Sequence, residues 1–145
     1  GAFESLRLEK GYRSLGSDIH TNTNPYESGL GFTVKLKKDT DFIGKEALSK
    51  IKEAPIQKKL ACMVMDDSEG MALGTEPIYS DGKAVGYVTS TNYGYFVDKH
   101  IVYGYLPSEL SSTGTKLELE YFGKRYPLTV TTEPLLDPEN TRLKS

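Results

Sequence analysis

The chain has 145 residues, enough for one ordinary domain with a packed core, or for a smaller domain carrying a piece of its neighbour. Charged residues make up 26% of it and the formal net charge is −2, which lacks the basic excess that a nucleic-acid partner demands. No apolar run approaches the roughly 20 residues that span a bilayer, and neither a signal-peptide nor an Arg-rich transit pattern is visible. The chain reads as soluble and intracellular, without a membrane partner, and its opening without methionine reads as a cut start.

In chain order, Phe3 to Glu9 are good helix formers with a glycine stop at Gly11, so this stretch is the tail of a helix. Residues 14–24 are polar and turn-prone, and Pro25 opens a short helical turn through Glu27 that Gly29 and Gly31 end. Phe32-Thr33-Val34-Lys35-Leu36 alternates apolar and polar residues and is a predicted strand. Ile43, Ala47, Leu48 and Ile51 fall at helical spacing between Gly44 and Glu53, and that helix must stop before Pro55.

Beyond this point the pattern shortens to six strands: Lys59 to Met65, Pro77 to Tyr79, Ala84 to Ser90, Ile101 to Leu106, Lys116 to Phe122, and Arg125 to Thr132. Asp81-Gly82 and Gly123-Lys124 fit two-residue hairpin turns of the primed types. The predicted fold is therefore α+β and β-rich: helices and a strand over residues 1–55, then six antiparallel strands over 56–145 that form a compact barrel or sandwich. The barrel is expected to be the stable unit, and residues 1–24 are expected to open easily because their apolar face lacks neighbours.

The chain shows no convergent catalytic set. His20 and His100 have no second ligand at metal spacing, Gly29-Leu30-Gly31 lacks the rest of a dinucleotide fingerprint, and no phosphate loop is present. Cys62 lies in the apolar run Leu60 to Met65 and is expected to be a structural thiol. Asp39, Asp41, Asp66 and Asp67, and the lysines at 35, 37, 38, 45, 50, 52, 58 and 59, are best read as solvated loop and face charges. Tyr93, Tyr95, Tyr103 and Tyr105 suit either a packed sheet or a stacking platform.

Three segments carry a resemblance: Ser5-Leu6-Arg7-Leu8-Glu9-Lys10-Gly11-Tyr12-Arg13, then Asn24-Pro25-Tyr26-Glu27-Ser28-Gly29-Leu30-Gly31, then Asp41-Phe42-Ile43-Gly44-Lys45-Glu46-Ala47-Leu48. In this order they resemble the C-terminal part of the aminomethyltransferase superfamily, the glycine-cleavage T-protein-like proteins. Residues 81–90 and 123–127 extend the likeness, which implies that residues 1–55 are a helix/strand remnant of a folate-binding domain and that residues 56–145 form a six-stranded antiparallel C-terminal barrel. The Leu-Glu-Lys-Gly-Tyr-Arg form looks most like the branch of dimethylglycine and sarcosine dehydrogenases and oxidases.

That resemblance implies a folate-side fragment of a flavoenzyme, which passes one-carbon units from N-methyl amines to tetrahydrofolate while FAD sits in a separate N-terminal domain. It implies the rest of a parent chain as partner, and a cytoplasmic or mitochondrial setting. The segments that supply the family's acidic folate residues are not in this sequence, so the fragment alone is expected to be inactive, with no catalytic or metal residue. The expected folate wall is Arg7, matching an arginine of the family's folate-site helix, with Tyr93, Tyr95 and the tail residue Arg142. For Arg7 the alternative is a helix-surface pair with Glu4. The same segment of a glycine-cleavage aminomethyltransferase or a folate-dependent demethylase, and a purely structural assembly module, are the rival functions.

Overall fold

The computed structural model describes residues 1–66 and 74–144. Helix α1 (Ala2–Glu9) opens the chain and ends at a left-handed Gly11, as its sequence predicts. Helix α2 (Lys45–Glu53) follows, then strands β1 (Lys58–Met65), β2 (Pro77–Ser80), β3 (Lys83–Gly94), β4 (Lys99–Pro107), β5 (Lys116–Tyr121) and β6 (Lys124–Thr131), with a final turn of helix, α3 (Thr141–Lys144). The strands pair in the order β1-β4-β3-β2-β5-β6 and β6 returns to β1, so the antiparallel sheet closes on itself. Closure leaves no unpaired edge among these strands.

The predicted strand at Phe32–Leu36 is not one. Residues Gly31–Thr33 form a 3-10 turn, in which the Thr33 hydroxyl and N–H both donate to the Leu30 carbonyl. A barrel closed by six strands offers no ladder for a seventh, and local hydrogen bonds then decide the backbone. The second hairpin also differs by one residue from its prediction. The turn pair is Phe122-Gly123 with φ of 48° and 74°, so Lys124 already belongs to β6. Asp81-Gly82 is the turn of the first hairpin, with both residues left-handed as a primed turn requires.

Inside the barrel, Ala61, Met63 and Met65 of β1 meet Ile78, Val88, Val102, Leu106, Leu117, Leu119, Leu128 and Val130. The outer face of β1 and β4 is buried as well: Leu60, Cys62, Ile101, Tyr103 and Tyr105 pack with Leu8 of α1. Both faces of these strands are covered, which explains why β1 reads as a continuous apolar run rather than an alternating one. Residues 1–24 are thus not a loose appendage. Leu8 and Asp18 are each 1% exposed, and Tyr105 donates its hydroxyl to the Asp18 carbonyl at 2.7 Å.

Glycine is required where β3 and β4 approach each other. A Cβ on Gly86 would lie 2.0 Å from the Tyr105 carbonyl oxygen, and one on Gly104 would lie 2.5 Å from that of Tyr87. Helix α2, in contrast, buries no residue, and Ile43 before it is fully exposed.

Candidate functional site

Helix α1 lies along the outer side of β3 and is joined to it by a row of polar contacts. The Ser5 hydroxyl donates to the Tyr93 carbonyl at 2.6 Å, and Arg7 Nη2 donates to the Ser90 hydroxyl at 3.2 Å. Glu9, fully buried, accepts from the N–H groups of Phe96 and Val97 at 2.7 and 3.4 Å. Three side chains at every second position of one short helix thereby fix the end of β3 and the tip of the β3–β4 hairpin.

At the centre of this row sits a buried ion pair. Arg7 Nη1 is 2.9 Å from Asp18 Oδ2, and both side chains are almost inaccessible. The other Arg7 donors reach Glu4 from Nε at 3.0 Å and Nη2 at 2.6 Å, the Tyr12 carbonyl at 2.8 Å, and Ser90. All five N–H bonds of the guanidinium therefore have partners within the chain. The pairing with Glu4 that helical spacing suggests is present, as one part of a larger network.

Asp18 is saturated too. It accepts from Arg7 and the Ser14 N–H on Oδ2, and from the hydroxyls of Thr89 at 2.5 Å and Ser90 at 2.7 Å on Oδ1. Adjacent strand residues normally point to opposite faces, but here both hydroxyls reach one oxygen. The cause is a β-bulge between Val88 and Ser90, where Thr89 is inserted opposite β4 and turns two neighbouring side chains to the same side. Nothing in the polar stretch 14–24 singles out Asp18, and a bulge leaves no mark in an alternation pattern, so sequence reasoning missed both Asp18 and its hydroxyl partners.

The structure places Tyr93 and Tyr95 next to this seam. Their rings meet edge to face with centroids 5.2 Å apart, Tyr95 is well exposed, and the Tyr93 hydroxyl donates to Asp98. That hydrogen bond, followed by slight burial, raises the Tyr93 phenol above its ordinary range. Arg142 lies elsewhere, in the exposed α3, where its N–H donates to Asp137 Oδ2 at 3.2 Å. Arg7 and Tyr93 are brought together on one seam, and Arg142 belongs to the tail.

Tyr103 and Tyr105 are core residues, with Tyr103 over Leu8 and burial driving its phenol far upward. Cys62 is buried and its thiol is pushed up to about 12, chiefly by burial. His100 shares a 3.0 Å hydrogen bond with Thr91, and burial lowers its pKa. Asp66 accepts from Thr129, while Asp67 lies outside the described residues. Lys50 pairs with Glu46 on the exposed α2, as a solvated face predicts. Among the described residues, no three His, Cys, Asp or Glu groups converge as a metal site, and no helix is long and apolar enough to cross a membrane.

A closed six-stranded antiparallel barrel, packed on its outer face by an N-terminal helix-loop segment, defines the class of domain. Residues 58–137 match the model of the glycine cleavage T-protein C-terminal barrel domain, and residues 1–38 match that of the GCVT N-terminal domain; the chain belongs to this family. It is 40% identical to rat mitochondrial dimethylglycine dehydrogenase over 145 residues, covering 99% of this chain and 17% of that protein. Human mitochondrial sarcosine dehydrogenase is 36% identical over 150 residues, covering 99% and 16%. An aminomethyltransferase of Prochlorococcus marinus is 38% identical over 134 residues, covering 92% and 36%. The crystal structure of aminomethyltransferase T of the glycine cleavage system from Bartonella henselae superposes with a TM-score of 0.84 at 27% identity, covering 94% of this chain and 38% of that one. The chain thus spans about a sixth of the length of the dehydrogenases it resembles.

Proposed function

We propose that this chain is the C-terminal, folate-side segment of a dimethylglycine dehydrogenase-like flavoenzyme that passes one-carbon units from N-methyl amines to tetrahydrofolate. The observation that carries the proposal is the likeness to dimethylglycine dehydrogenase along the whole chain, where the likeness to aminomethyltransferase runs over a shorter stretch. In this proposal residues 1–55 complete a folate-binding domain, residues 56–145 are the barrel domain that closes it, and FAD belongs to a separate domain of the parent.

The donor set on the α1–β3 seam suits a wall rather than a whole pocket. The Tyr93–Tyr95 pair offers an aromatic surface on which a flat ring can stack, whereas Arg7 has no donor left over and acts by holding that surface in place. Tetrahydrofolate, when bound, supplies the amine nitrogens that capture the one-carbon unit. The residues of this chain orient it and cover one side from water.

The test is a titration of the longer protein with a stable reduced folate. Replacing both Tyr93 and Tyr95 by alanine is expected to weaken binding about tenfold, since aromatic pairs contribute about 0.5–1.5 kcal/mol each beyond area burial. Arg7→Ala is expected to weaken it as well, with a melting curve separating this from unfolding. Unchanged affinity in a folded tyrosine double variant would favour a purely structural module. A flavin absorbance band in the longer protein separates the dehydrogenase reading from the aminomethyltransferase one.

A further inference from the structure

A concave surface lies beside the first half of β3, whereas Tyr93 stands near that strand's end. On the outer face of the barrel, cross-strand registers align Leu60 with Tyr105 and Tyr105 with Tyr87, and Lys58 stands two residues before Leu60 on the same face of β1. Glu27 is tied to this row through its backbone, whose carbonyl accepts the Leu60 N–H at 2.8 Å. Between them is a cavity of about 440 Å³ lined by Glu27, Lys58, Val85, Tyr87, Tyr105 and Leu106 among others. That volume falls within the roughly 300–1,000 Å³ of small-molecule sites.

Its walls carry opposite charges that no described residue neutralises. The Lys58 ammonium sits 5.5 Å from the centre of the Tyr105 ring and, among the described residues, has no carboxylate within ion-pair distance. Among the described residues Glu27 has no cation at such a distance either, and its Oε2 accepts the Asn24 N–H at 3.1 Å. Burial, and after it the Glu27 charge, raises the phenol pKa of both Tyr87 and Tyr105. The two rings stand 6.0 Å apart at 37°, with that of Tyr87 partly exposed and that of Tyr105 buried. Gly86 sits at the base, where a Cβ would collide with the Tyr105 backbone.

We propose that this cavity is a binding site for a small zwitterionic amino acid, its carboxylate on Lys58, its ammonium on Glu27 and its carbon chain across Tyr87. A ligand of one sign would satisfy one wall and leave the other charge to be desolvated without a partner, which is unfavourable. A zwitterion satisfies both. An ammonium beside Tyr87 also gains from the ring face. This site is separate from the proposed folate wall and does not depend on it.

The experiment is an NMR titration of the 145-residue chain with 5-aminovalerate, following the ring signals of Tyr87 and Tyr105, beside titrations with valerate and with pentylamine. The expected result is a saturable shift with 5-aminovalerate, and binding at least tenfold weaker for each half-molecule, because each lacks one charge-assisted contact. Lys58→Met and Glu27→Gln are each expected to weaken 5-aminovalerate at least tenfold while the melting temperature holds. Glutamine keeps the acceptor for Asn24. The half-molecule comparison needs no variant, so it decides the matter even where a substitution disturbs folding. No saturable shift at about 10 mM ligand, far above a 1 mM dissociation constant, overturns the proposal, as do equal shifts with valerate alone.

Discussion

Asp18 is the residue whose chemistry is most tightly constrained, since it takes four hydrogen bonds in a nearly inaccessible place and carries the only buried negative charge bonded to Arg7 among the described residues. Asparagine keeps its shape but turns one oxygen into an N–H donor facing other donors, and it leaves the guanidinium without its buried counter-charge. Breaking a buried pair from one side costs about 3–5 kcal/mol. Asp18→Asn is expected to lower unfolding stability by that amount, measured by urea denaturation with the slope unchanged. A loss below about 1 kcal/mol would mean that water replaces the pair at little cost. Cys62 supplies a second prediction at this scale. Its thiol keeps its proton in the folded chain up to about 12, whereas an unfolded chain releases it near 9.0. Stability from this group is therefore complete below about pH 9 and is lost as pH rises towards 12. Urea midpoints across that window are expected to fall with pH, and less steeply in Cys62→Ala, while the raised Tyr103 phenol keeps part of the slope.

At the scale of elements, the two helices behave oppositely. Both α1 and α2 were legible, one from its helix formers before Gly11 and the other from apolar spacing with lysines between. What the sequence did not reveal is which helix is packed. Periodicity reports that a face is apolar, not what covers it: α1 buries Ser5, Leu8 and Glu9 on the barrel, and α2 buries nothing. All six strands were legible because turn formers punctuate them, but the 32–36 segment alternates just as well and has no ladder to join. For the candidate site, Arg7 and Tyr93 were visible as residue types, whereas Asp18 required a bulge and a long-range contact. Hydrogen exchange tests the packing difference. The amides of α1 are expected to be protected nearly as well as those of β3 and β4, and those of α2 to exchange at least tenfold faster. Equal protection of the two helices would show that α2 finds a partner, through self-association or a shift onto the barrel.

For the whole molecule, the consequential feature is that a closed barrel is nevertheless an incomplete body. Its interior is filled by eleven buried residues among those described, yet the outer faces of β1 and β4 present Leu60, Cys62, Ile101, Tyr103 and Tyr105, and these are covered by Leu8 of the N-terminal segment together with Val97 and Leu135. That segment is held through hydrogen bonds as well as through Leu8. Tyr105 bonds to the Asp18 carbonyl, Leu136 donates to the Glu9 carbonyl, and Arg13 pairs with Glu133 beyond the last strand. The first 24 residues and the tail therefore brace one side of the barrel together. Removing residues 1–24 deletes Leu8 from a packed cluster, a change of a kind that costs about 2–5 kcal/mol. It also strips Asp18 from Thr89 and Ser90, so that the Thr89 hydroxyl keeps only the Tyr103 carbonyl, at 3.3 Å, and the Ser90 hydroxyl loses its acceptor. The shortened chain, residues 25–145, is expected to unfold at least about 2–5 kcal/mol more easily than the full one and to bind a hydrophobic dye through the uncovered β1–β4 face. Urea denaturation and dye fluorescence at matched concentration measure both effects. A shortened chain that unfolds at the same midpoint without binding dye would show that the barrel closes its own outer face, and that the N-terminal segment only rests on it.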